Sequence, residues 1–188
     1  MLSRYKSLYP FFAAPVFLVF LIWAHAVAPK HYNPLSQHVG DLGAQGYAHH
    51  LILRLGLLLF GGMMALGVLL NGIRGRTFPI LIYSVCMFVA GIFSTTPWNE
   101  ELNYSRFAST IHGMFVQLAD WMLVAGIFIQ GVHASRPEIR RVHYAFFAAA
   151  LAITLGAWFL PEISGLLQRL LWALGLYWLV LHFRPRGL

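Results

Sequence analysis

The chain has 188 residues, 59% of them hydrophobic and 10% charged, with 13 Lys and Arg against 6 Asp and Glu for a formal net charge of +7. A soluble domain is about one quarter charged, so this composition excludes a soluble globule and leaves room for roughly six spans of about 20 residues joined by short loops. The positive charge would point to nucleic acid in a soluble protein. Here the basic residues sit in loops and at helix ends, where they orient the chain and meet anionic lipid, so membrane lipids are expected as partners and nucleic acid is not.

The expected fold is all-α: one polytopic membrane domain over residues 1–188 with six transmembrane helices. The first span, 11–27, follows Arg4 and Lys6 and ends in Ala26-Val27-Ala28. A basic start, an apolar middle and an A-x-A ending mimic a secretory signal, but the apolar stretch is long for one, which argues for a retained span. The second span covers 47–70 and carries Gly56, Gly61, Gly62, Ala65 and Gly67, small residues that permit close helix approach in lipid. The third covers 79–93 and contains the single cysteine, Cys86, so neither an intramolecular disulfide nor a thiolate metal site can form. The fourth covers 110–132, the fifth 144–160 and the sixth 166–181. Trp98, Trp121, Trp158, Trp172 and Trp178 suit interface anchoring and packing.

Orientation follows from the loops. One set holds Arg4, Lys6, Arg74, Arg76, Arg136, Arg140, Arg141, Arg184 and Arg186; the other holds only Lys30 and Arg106, with Arg54 and Arg169 just inside helix ends. The first set is expected in the cytoplasm, which puts both termini there. Asp41, Glu100, Glu101 and Glu162 then lie outside and Glu138 inside. The outer links, 29–46 and 94–109, are longer and richer in chemistry than the inner ones, so a site is expected on the outer side.

The first outer loop contains Ser36, His38 and Asp41, a hydroxyl, an imidazole and a carboxylate, and leads into Tyr47, His49 and His50. His50 and Arg54 are four apart and share a helix face. In the fourth span His112, Gln117 and Asp120 fall on one arc of about 140° at 100° per residue. Asp120 sits near the bilayer middle, where an acid is costly unless paired or facing a cavity. Arg54 is its expected partner, an ion pair that would also fix helix registry. His49 or His50 with His38 and His112 offers imidazoles for zinc, the closest metal reading being His50 with His112, and a bis-histidine haem would use His49 or His50 against His112. His133, His143 and His182 cluster at the opposite end, about 30 Å of helix away.

The run Tyr32-Asn33-Pro34-Leu35-Ser36-Gln37-His38-Val39-Gly40-Asp41-Leu42-Gly43, with Gly91-Ile92-Phe93 and Ile111-His112-Gly113, resembles the signature of a mostly prokaryotic six-span family, the domain of unknown function 998. That family often has proline and aspartate soon after Gly-Ile-Phe, where this chain has Ser94-Thr95-Thr96. The resemblance implies a six-span bundle in a bacterial cytoplasmic membrane and no particular activity. The arrangement is also loosely similar to a superfamily of membrane hydrolases that includes alkaline ceramidases, which use a serine, an aspartate and three histidines around zinc. Ser36, Asp41, His50 and His112 can be read that way, although the H-x-x-x-H pair of those enzymes is absent.

These residues lead to an expected polar pocket on the outer side, floored by Asp120 and Arg54 and rimmed by Ser36, His38, Asp41, His50 and His112. The leading expectation is binding of a lipid or other amphiphile, or service as a membrane partner subunit, with His38, His49, Arg54 and Gln117 as ligand-binding candidates. The alternative is a membrane-embedded, metal-dependent hydrolase with Ser36, Asp41, His50, His112 and Asp120 as its catalytic residues.

Overall fold

In a computed structural model of the chain, residues 2–97 and 103–183 are described, with side chains from residue 9 onward. Trp98, Glu100, Glu101, Arg184 and Arg186 lie outside the described residues, as do the side chains of Arg4 and Lys6. Six α-helices follow one another: α1 (Leu2–Ala26), α2 (His50–Asn71), α3 (Phe78–Ile92), α4 (Arg106–Val132), α5 (Pro137–Phe159) and α6 (Ser164–Leu181). Five of them are long and apolar enough to cross a membrane. The chain is therefore a multi-pass membrane protein. The exception is α3, whose 15 residues reach about 22 Å against a hydrocarbon core of about 30 Å; the third expected span is a shorter apolar helix.

Helix ends and apolar ends do not coincide. Helix α1 begins at Leu2, well before the apolar run, and α5 begins at Pro137, seven residues before it. Hydropathy marks where a helix meets lipid, whereas capping and proline mark where it starts. Pro137 occupies the first position of α5, where its missing N–H costs nothing, and Glu138 sits in the positive first turn. At the head of α4 the Ser105 hydroxyl accepts from the Ala108 amide at 3.2 Å.

Each helix packs on its neighbours in sequence, and α6 returns to α1, so the six form a closed ring. The core runs through its middle. Phe17 of α1 meets Phe60 of α2 with ring centroids 5.1 Å apart and Trp172 of α6 at 5.5 Å. Gly61 lets α2 close on α3, since a Cβ there would stand 2.5 Å from the Phe88 amide nitrogen. Tyr9 and Phe183 lie with ring centroids 6.3 Å apart, so the two ends of the chain share one end of the bundle. Many large apolar side chains, among them Ile22, Leu66, Phe107 and Phe159, remain exposed on the outside of the ring, as lipid-facing helices require.

Candidate functional site

The long link between α1 and α2 folds back over the bundle end opposite the termini. A short 3-10 helix, Val39–Gly43, lies in it and touches both α2 and α6, and its Gly40 stands against His112 of α4, so it crosses the ring. The crossing is held by polar contacts. The His38 amide donates to Asp41 Oδ2 at 2.8 Å, and the Asp41 amide returns a bond to the His38 carbonyl at 3.1 Å. From α6, Gln168 Oε1 accepts from the Val39 amide at 2.8 Å, the Leu166 amide donates to the Leu35 carbonyl at 2.9 Å, and Ser164 Oγ donates to the Ser36 carbonyl at 3.3 Å.

Arg169 completes the clamp. Its guanidinium donates to the Pro34 carbonyl at 2.8 Å, to the Gln37 carbonyl at 2.9 Å and to the Tyr32 hydroxyl, and its Nε reaches His25 Nε2 of α1 at 3.2 Å. Tyr32 passes the contact on by donating to the His38 carbonyl at 3.0 Å. Burial pushes the Tyr32 hydroxyl up to about 12 despite the opposing Arg169 charge, so it keeps the proton that this bond needs.

Beneath the crossing lies a cavity of about 460 Å³ walled by α4, α5 and α6 and roofed by the 3-10 helix. His38, Asp41, His112, Gln117 and Asp120 all line it, so one loop and one helix supply five of the residues singled out from sequence. Val116, Ile153, Ala157, Leu167 and Leu171 form its apolar wall. His38, Gly113, Gln117 and Trp158 are the lining residues that stay exposed, which sets the mouth along the roof and the upper part of the α4–α5 seam.

His112 is only 5% exposed. Its Nδ1 stands 2.9 Å from both the Ala90 and Phe93 carbonyls at the end of α3, and two acceptors there assign the proton to Nδ1. Nε2 then points to the cavity side. It faces Gly40, where a Cβ would come within 2.7 Å of it, so glycine is what lets the roof approach the ring. Burial raises the Asp41 carboxyl above the ordinary carboxylate range, against the opposing influences of His38, its bond from the His38 amide, His112 and Arg169. Asp120 forms the deep wall and accepts from Trp172 Nε1 at 3.4 Å, a long bond to one oxygen.

Four expected site residues stand elsewhere. Arg54 does not pair with Asp120: its Nε donates to the Gly91 carbonyl at 3.0 Å and its Nη2 to the Ile92 carbonyl at 2.5 Å. The reason is the ring order, in which α2 lies against α1 and α3, so its cation reaches the end of α3 rather than α4. The same order keeps His49 and His50 out of the cavity, because α2 stands across the ring from α5. His50 Nδ1 turns back to the Tyr47 carbonyl at 2.6 Å, and the exposed His49 ring stands 5.9 Å from that of Tyr47. Ser36 contributes its carbonyl to the clamp and does not line the cavity.

Sequence reasoning missed Gln168 and Arg169. The signal was a Gln-Arg pair near the head of an otherwise apolar span, where polar groups need partners. For metals, no group of three His, Cys, Asp or Glu side chains comes together among the described residues. His143 and His182 meet at the opposite end with ring centroids 6.4 Å apart, beside Trp178, whose Nε1 donates to His143 Nδ1 at 3.0 Å.

Searches of curated proteins and of solved structures found no match. A family model described as "Protein of unknown function (DUF998)" matches residues 11–184, nearly the whole chain, and the protein belongs to that family.

Proposed function

We propose that the protein binds a lipid or other amphiphile in the cavity between α4, α5 and α6. One observation carries the reading: a single cavity sets polar groups, His38, Asp41 and His112 at the roof and Asp120 on the deep wall, beside an apolar wall, and its mouth runs down a seam between two lipid-facing helices. An amphiphile in the membrane can reach such a mouth without leaving the bilayer, and both of its halves find matching surface. The loop charges support an extracytoplasmic mouth, since Arg74, Arg76, Arg136, Arg140 and Arg141 all belong to the opposite end of the bundle.

The test is retention. Protein purified in mild detergent and extracted with organic solvent should release about one amphiphile per chain, and Ala157→Trp, which fills the cavity from its wall, should release far less. Equal release from both would place the lipid on the outer surface and end this reading.

A second reading, a membrane-embedded hydrolase, is favoured by His112 and Asp41 lining one cavity, with His112 Nε2 turned to the roof. An imidazole oriented through Nδ1 turns Nε2 toward the cavity, the placement that proton abstraction from water requires. Release of fatty acid or headgroup from added lipid, abolished in His112→Asn, would establish it; intact lipid after long incubation would not.

A further inference from the structure

We propose that the preferred occupant is a single-chain primary amine, its ammonium held by Asp120 and its chain leaving along the α4–α5 seam. The inference rests on the reading of the cavity as an amphiphile site and specifies the headgroup.

Two carboxyl side chains, Asp41 and Asp120, line the cavity together with neutral polar groups such as Gln117 and Thr154. Among the described residues that line it there is no lysine or arginine. Arg54 is committed to the end of α3 and Arg169 to the roof clamp. An anionic head would meet two acids and no cation in the cavity wall. A donor-rich head meets what it needs.

Depth selects the amine. Asp120 lies fourteen residues beyond Arg106, about 21 Å along α4. A carboxylate at that depth requires a cation, a proton or water. The expected arginine is absent, and the one described bond, from Trp172, is long and leaves the second oxygen open. A primary ammonium brings three donors on a slender head. Trp121, the next residue of the same wall, adds an aromatic face of the kind that attracts cations. The seam then carries the chain past Gln117 and Trp158 to the lipid.

The experiment uses the full chain in phosphatidylcholine nanodiscs and three probes, hexadecylamine, hexadecanol and hexadecanoic acid, each with a mid-chain diazirine. Crosslinked peptides are mapped after photolysis. The amine should label α4 and α5 roughly tenfold more than the alcohol, the gain expected of a charge-assisted bond, and the acid least. Asp120→Asn should bring the amine down to the alcohol's level. Should that variant not fold, the wild-type ratio of amine to alcohol decides alone. Equal seam labelling by amine and alcohol, or strongest labelling by the acid, would overturn the amine inference and leave amphiphile binding standing. Seam labelling no greater than on the outward face of α1 with all three probes would remove both.

Discussion

Arg54 closes on the Gly91 carbonyl at 3.0 Å, and by doing so it serves the end of α3 rather than the acid of α4. A guanidinium at a helix C-terminus neutralises carbonyls that have no intrahelical partner and meets the negative end of the macrodipole. Asp120 is thereby left with the cavity on one side and Trp172 on the other. Stability and binding are therefore assigned to different charged residues, and the two separate experimentally.

Arg54→Leu should cost about 1.5–3 kcal/mol, the range for hydrogen bonds to a charged group. Combined with Asp120→Asn, the effects should add to within about 0.5 kcal/mol, because the two side chains share no partner. Unfolding of the four proteins in detergent micelles measures this. A coupling well above that figure would restore the ion pair.

How far these contacts were legible in the sequence follows from the same pair. The spans were readable because a long, nearly uncharged apolar run is stable as a helix in lipid and insoluble out of it. Asp41, His112, Gln117 and Asp120 stood out as polar groups on one arc or in one loop beside lipid. Arg54 was misassigned because depth and helical spacing say nothing about which neighbour a helix faces; that information belongs to the ring order. Arg169 read as an end charge, since its partners are backbone carbonyls, and carbonyls leave no mark on a sequence.

Arg169→Leu should free the roof. Amide exchange across Tyr32–Gly43 should speed up, with the Val39 and Asp41 amides losing most protection, while α2 and α3 stay unchanged. Unaltered exchange in that segment would mean that Gln168 and Ser164 hold the roof unaided.

Gly40→Ala and Gly113→Ala form a matched pair. At Gly40 the new methyl would lie 2.7 Å from His112 Nε2 and must displace either the ring or the roof, at about 1–3 kcal/mol. At Gly113 nothing lies within 4 Å, and alanine in an exposed helix position should be neutral or stabilising by up to about 1 kcal/mol. Thermal unfolding of both variants checks the difference, and similar losses would show that the roof does not press on His112.

Asp41→Asn should separate stability from function. Asparagine keeps an acceptor for the His38 amide and removes a carboxylate that burial disfavours. A raised folded-state pKa means that this group's stabilising contribution is full below the ordinary carboxylate value and is lost as pH rises through the folded value. The asparagine variant should therefore match wild type near pH 4 and exceed it increasingly at higher pH. A gap that widens on acidification would reverse the sign and show a carboxylate stabilised by its neighbours.

If the space under the 3-10 helix holds an amphiphile, a density map of the protein crystallised from a lipidic mesophase should show it. One elongated feature should enter between Gln117 and Trp158, run along Val116 and Ile153, and end in a polar head within hydrogen-bond distance of Asp120. Ordered water alone in the cavity, or α5 packed against α4 with the seam closed, would contradict it.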